Sequence, residues 1–211
     1  MIKGRLFSLA ISILLIFSLT VPAFAVSSIS VWYSDKDYIA YTPYDGSYYV
    51  YNLSSSSDYT TNFQSAISRA RTQWNSVLPI SISETSFNYA LSYVYGGTRS
   101  QLLDVFPNLS TSNTGLTHHP FKDGESATVN YNGSSKTVYT LQTGGKMCVV
   151  ERSGRTANGY KKTAIHEMGH LFGWMGHSSN SADIMYSSAS EITSLTTRDK
   201  TQLKQIYSLF Y

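Results

Sequence analysis

A chain of 211 residues with 42% hydrophobic and 14% charged side chains has room for one domain with a substantial core and little beyond it. Its formal charge of +3 falls to +1 when Lys3 and Arg5 leave with the leader described next, so no field draws nucleic acid or an acidic lipid surface. The single cysteine, Cys148, excludes an intramolecular disulfide, and within Met147-Cys148-Val149-Val150 it reads as a small buried hydrophobe.

Residues 1–25 have the form of a signal peptide. Lys3 and Arg5 make a positive start, an apolar run follows from Leu6 to Leu19, and Val21-Pro22-Ala23-Phe24-Ala25 ends in a small-x-small pattern with cleavage expected after Ala25. The run is shorter than the roughly 20 residues a spanning helix needs. The remaining residues, 26–211, are expected to form a single exported domain with no stable membrane association. Export without disulfides points to a bacterial source.

Tyr38–Tyr41 and Tyr48–Leu53 read as strands around the turn signal Pro43-Tyr44-Asp45-Gly46. Beyond Asp58, Phe63, Ile67, Ala70, Trp74 and Val77 or Leu78 recur at helical spacing until Pro79. Strands are expected over 79–84 and 89–95, and a short helix over 99–106. Residues 108–125 read as loop. Ala127–Tyr131 and Lys136–Thr143 flank Asn132-Gly133 as a hairpin, and Met147–Val150 is a further strand. Lys161–Phe172 reads as a helix with Ala164, Ile165, Met168, Leu171 and Phe172 on its apolar face. A Gly/Ser/Asn-rich stretch then leads to a last helix over about 197–209, opened by a capping box of Thr196 and Asp199 and buried through Leu203, Ile206, Tyr207 and Phe210. Strands and helices mix without strict alternation, so the fold class is α+β (mixed α/β).

The chemistry is concentrated in His166-Glu167-Met168-Gly169-His170-Leu171-Phe172-Gly173-Trp174-Met175-Gly176-His177, which holds three of the five histidines. On a helix, His166 and His170 lie on one face about a turn apart and can both present a ring nitrogen to one ion. Zinc accepts imidazole nitrogen and, in catalytic sites, keeps a fourth position for water. Glu167 can reach that position without being a ligand and is the candidate general base. Gly173 is placed to end the helix through a left-handed residue, and His177 is the candidate third ligand. Glu191, 21 residues after His170, is a rival for that place.

This window resembles the metzincin clan of zinc proteases, whose pattern His-Glu-x-x-His-x-x-Gly-x-x-His is followed by a Met-turn. Trp174, Met175 and Gly176 separate Gly173 from His177 where the common pattern has two residues, a spacing similar to bacterial matrixin-like proteases. Ser181-Ala182-Asp183-Ile184-Met185-Tyr186 resembles the Met-turn, with Met185 as the packing floor under the imidazoles. The position two residues after that methionine is Ser187, not the tyrosine ligand of astacin- and serralysin-like members, so Tyr186 is expected to be structural.

The resemblance implies a twisted, mostly parallel sheet with an antiparallel edge strand and two long helices in an upper subdomain (26–173). A small C-terminal subdomain (174–211) carries the final helix. It also implies one catalytic Zn2+, a protein or peptide substrate paired to an edge strand, for which Ala127–Tyr131 is the candidate, and a pocket lined by Ser187–Leu195 for the side chain after the cut bond. A monomer is expected. The function implied is secreted zinc endopeptidase. A narrow processing protease and a zinc-bound, non-proteolytic binding module are the alternatives, and Glu167 speaks against the latter.

Two weaker signals remain. His118-His119 reads as a solvent-exposed pair rather than a structural zinc site. Asp123, Gly124 and Glu125 read as a polar turn, with no further support for Ca2+. Cys148 lacks the surroundings of a latency cysteine.

Overall fold

The computed structural model describes residues 27–211, apart from the side chains of 123–126. The expected signal peptide lies outside the described residues. Among the described residues, eight strands and four α-helices follow in chain order: β1 (Tyr38–Tyr41), β2 (Gly46–Asn52), α1 (Ser57–Asn75), β3 (Ile82–Glu84), β4 (Ser92–Gly97), α2 (Arg99–Leu102), β5 (Gly115–His118), β6 (Phe121–Tyr131), β7 (Ser134–Leu141), β8 (Gly145–Val150), α3 (Ala157–Leu171) and α4 (Thr197–Tyr207).

The main sheet has the order β3-β2-β4-β8-β5. Its first four strands run parallel, and β5 closes one edge antiparallel to β8, pairing Gly115 with Val149 and His118 with Lys146. A separate sheet of order β1-β7-β6 is built on the expected hairpin. Asn132 (φ 50°) and Gly133 (φ 78°) both take positive φ at its turn, as a two-residue hairpin connection of matching twist requires.

The two long helices, α1 and α3, pack on one face of the main sheet. The 3–4 spacing read from the sequence buries Phe63, Ile67, Ala70 and Trp74 on α1. The Trp74 indole donates to Ile165 O (2.8 Å), joining the helices, and the Tyr59 hydroxyl donates to Val149 O (2.6 Å), joining α1 to β8. On the opposite face Leu102, Phe106 and Leu109 cover Cys148 and Val150. Burial pushes the Cys148 thiol well above its usual range, so it behaves as the expected core hydrophobe.

Several boundaries differ from expectation. Residues 108–125 are not a loop: they contain β5 and the start of β6, where a register shift between Phe121 and Ser126 breaks the alternation a sequence reading relies on. The Asp123–Glu125 stretch therefore runs within a strand rather than a polar turn. Ala127–Tyr131 lies in the three-stranded sheet, so the edge beside α3 is β5, not the expected one. Helix α3 begins four residues early, because the Thr156 hydroxyl caps it by accepting from Gly159 N (2.9 Å). On α4 the capping box of Thr196 and Asp199 forms as read. Phe210 is 36% exposed instead of buried, stacked on Tyr41 at 4.0 Å between ring centroids. No helix among the described residues is long and apolar enough to cross a membrane.

Candidate metal centre

His166 and His170 stand on α3 and His177 follows its end. Their ligand-capable nitrogens all lie within 4.8 Å of one another, and no other His, Cys, Asp or Glu group among the described residues converges in this way. His166 Nδ1 is 2.7 Å from Ile184 O, and His170 Nδ1 is 2.5 Å from Trp174 O. A carbonyl oxygen only accepts, so both Nδ1 atoms carry the proton and both Nε2 atoms keep a lone pair. Those two Nε2 atoms face each other at 3.0 Å. Neither can donate to the other, which is unfavourable until a cation sits against both. Two nitrogens bound tetrahedrally at ~2.05 Å to zinc lie roughly 3.3 Å apart, close to what is seen.

Electrostatics favour the same occupant. Burial, reinforced by the neighbouring imidazoles, holds His166 far below its usual range, and burial brings His170 to about 4. Burial also lowers His177, opposed by Asp35. Neutral imidazoles are the ligand form, and carbonyl partners on Nδ1 fix their orientation.

The chain reaches His177 through a sharp reversal. Gly173 N donates to His170 O (2.9 Å) and Trp174 N to Gly169 O (2.9 Å), the paired bonds of a Schellman turn. Gly173 has φ 112°, and a Cβ there would stand 2.0 Å from Ala40 O, so no other residue fits. His177 is then held from the other end of the chain: its N–H donates to Asp35 Oδ1 (2.7 Å), and Asp35 N donates to His177 O (3.0 Å).

Below the histidines, Met185 is fully buried. Its approach depends on Gly169, where a Cβ would lie 2.6 Å from both Met185 Sδ and Trp74 Cζ2. The turn is fastened to α4. Asp199 accepts from Ile184 N (3.0 Å) and Met185 N (3.1 Å), and Asp183 accepts from Ser178 Oγ, Thr196 Oγ1 and both arms of Arg198 at 2.6 to 3.0 Å. Burial raises the Asp183 carboxyl, but the Arg198, Ser178 and Thr196 hydrogen bonds outweigh it and leave it below the usual 3.8. Since Ile184 O orients His166, these carboxylates act on the centre through the backbone between them.

Glu167 is buried on the wall of a cavity of about 600 Å3 that also touches all three histidines. Burial raises its carboxyl to about 7, against a hydrogen bond from the Thr117 hydroxyl to Oε2 (2.7 Å) and the nearby Lys162 charge. Thr117 belongs to β5, so the edge strand of the sheet positions this side chain.

The metal and base candidates thus come together, whereas Glu191 does not join them. It accepts from Thr156 Oγ1 (2.6 Å) at the N-cap of α3, roughly 15 Å along the helix from His166 at 1.5 Å per residue. His118 and His119 are not a solvent-exposed pair. Both are half-buried; His119 lines the cavity with its Nε2 buried and unpartnered, and burial, with His170 nearby, lowers it to about 3. Thr117, Lys162, Asp35 and the support given by Asp183 and Asp199 escaped the sequence reading. Only Lys162 carried a usable signal, since it stands one helical turn before His166 on the same face.

The sequence matches the matrixin family model (Peptidase_M10) over residues 40–208. The chain belongs to the matrixin family. No curated protein matches it. Matrixins are zinc-dependent endopeptidases that act on peptide substrates, so membership makes this chain a zinc metalloprotease of its class. The matrixin match spans both sheets, α3 and α4, and it agrees with the mixed α+β architecture and with a zinc-compatible histidine triad.

Proposed function

We propose that the protein is a secreted zinc endopeptidase in which His166, His170 and His177 hold the metal and Glu167 is the general base. The observation that carries this reading is the convergence of three neutral imidazoles beside a buried carboxylate on one open cavity. A zinc ion held there would polarise the scissile carbonyl and acidify water at the site. Glu167 takes a proton from the attacking water and delivers it to the departing amine. Thr117 keeps the accepting carboxylate oxygen oriented and favours its ionised form. Ile184 O and Trp174 O hold the two helix imidazoles in the tautomer that leaves Nε2 free. Gly173 turns the chain so that Asp35 can pin His177, and Met185 fills the space beneath.

Export with cleavage after Ala25 completes the proposal. It rests on the form of the first 25 residues. The test is digestion of casein by purified residues 26–211, with and without a zinc chelator, beside Glu167→Ala. Chelator-sensitive cleavage that disappears in the variant is expected. Intact casein after incubation with folded, zinc-loaded protein would shift the assignment to a narrow substrate or to binding alone.

A further inference from the structure

Lys162 is a lysine where burial alone would favour an apolar side chain. It is 3% exposed, lines the cavity, and sits one turn before His166. Its ammonium donates to Tyr186 O at 2.8 Å. Its other near neighbour, His166 Nδ1 at 3.3 Å, already gives its proton to Ile184 O and so is poorly placed to accept from Lys162. No carboxylate among the described residues forms an ion pair with Lys162; Glu167 is near enough to attract it but is engaged by Thr117. This ammonium uses one of three donors and makes no direct ion pair, with Glu167 and Asp199 attracting it only from beyond contact, so two of its donors are left to meet an incoming acceptor.

The surrounding wall bears polar groups and a second cation. Ser187, Ser188 and Ala189 continue from Tyr186 along the cavity beside Thr163. A second cation stands behind Thr163: Arg155 donates to Gly159 O (2.7 Å) and to Thr163 Oγ1 (2.5 Å), lies over the Tyr160 ring and is attracted by Glu191, while its Nε is buried without a hydrogen-bond partner. A metal ion on the three histidines would make the same region more positive still. One carboxylate entering beside Ser187 and Ser188 could meet the spare donors of Lys162, the serine hydroxyls and the field of Arg155 together.

We propose that this wall selects peptides bearing an acidic side chain, Asp or Glu, next to the scissile bond, with Lys162 as the specificity-determining residue. The inference rests on the endopeptidase reading above and names the substrate class for that same site. A role confined to holding Tyr186 O would instead make Lys162 indifferent to substrate charge.

The test uses zinc-loaded protein and matched peptides that differ only in Glu, Gln, Leu or Lys at each of the two residues flanking the cut bond. At one of these positions Glu should exceed Gln by about five- to tenfold in kcat/KM, the difference between a charge-assisted hydrogen bond and a neutral one, with Lys lowest. Lys162→Met should bring the Glu-to-Gln ratio close to one, and Lys162→Arg should keep it above one. A wild-type ratio near one at both positions overturns the proposal whether or not the variants fold, as does a ratio that folded Lys162→Met leaves unchanged. Fluorescence anisotropy of the same peptides on zinc-loaded Glu167→Ala separates the two readings. Charge-selective binding without cleavage by the wild type keeps the acidic-side-chain pocket and removes the protease. Cleavage without charge selectivity does the reverse.

Discussion

Thr117→Val removes one hydroxyl and keeps the shape of the side chain, so it isolates the hydrogen bond to Glu167. That bond is 2.7 Å long and ends on a buried carboxylate. A hydrogen bond to a charged group contributes about 1.5–3 kcal/mol. Water from the open cavity replaces part of it, so roughly 1.4 kcal/mol should be lost from the ionised form alone, equivalent to about one pH unit. Burial has already brought this carboxyl to about 7, and removing a donor that lowers it must move it upward. A base works only when deprotonated, so the acid limb of kcat/KM against pH should shift up by about one unit, with the plateau at higher pH largely recovered. Initial rates on a fluorogenic peptide from about pH 5 to 9 measure this. A limb that stays where the wild type has it, in a variant with normal zinc content, would refute Glu167 as the base that Thr117 tunes.

His177→Ala should weaken zinc retention by more than about a hundredfold, beyond the loss usual for an outer hydrogen-bond partner, as read by metal analysis after dialysis; retention near wild type would put the third ligand elsewhere. Gly169→Ala drives a methyl into Met185 Sδ and Trp74, each 2.6 Å from the added Cβ, and should destabilise by about 1–3 kcal/mol, seen as a Tm lower by several degrees. An unchanged Tm would mean that the floor under the histidines is looser than the structure has it. Asp183 has its folded value below the usual 3.8, so its contribution to stability is fully present above that pH and is lost as pH falls through the folded value. Asp183→Asn should therefore be less stable at neutral pH and should flatten the fall in stability below about pH 4 in urea unfolding. Parallel acid limbs in variant and wild type would count against the Arg198 pairing.

What could be read in advance was whatever depends on neighbours a few residues away. The His166–His170 spacing, the reversal at Gly173, the Asn132-Gly133 hairpin and the Thr196–Asp199 box are all local, and each is found where the sequence places it. Strand β5 escaped because its four residues, opening on a glycine, have no alternation of their own and become a strand by pairing with β8. Thr117 lies on that strand, and the hairpin that does carry a sequence signal pairs in the other sheet. Asp35 and Asp183 look like ordinary surface carboxylates until the folded chain sets them against His177 and Arg198. Lys162 stands at helical spacing from His166, but lysine is usually exposed, so the sequence alone gives no reason to place it inside.

The clasp between Asp35 and His177 joins residues 142 positions apart, and the strand of chain just before it is tied to α4 through Gln205, 174 and 175 positions from Val31 and Ser30. Such contacts close only after nearly the whole polypeptide has been made and brought together, the slowest kind of event in folding. A chain that ends before residue 177 carries His166 and His170 without the clasp partner of Asp35. The third histidine is therefore placed by long-range contacts and takes its position later in folding than the His166–His170 pair, whose spacing is local.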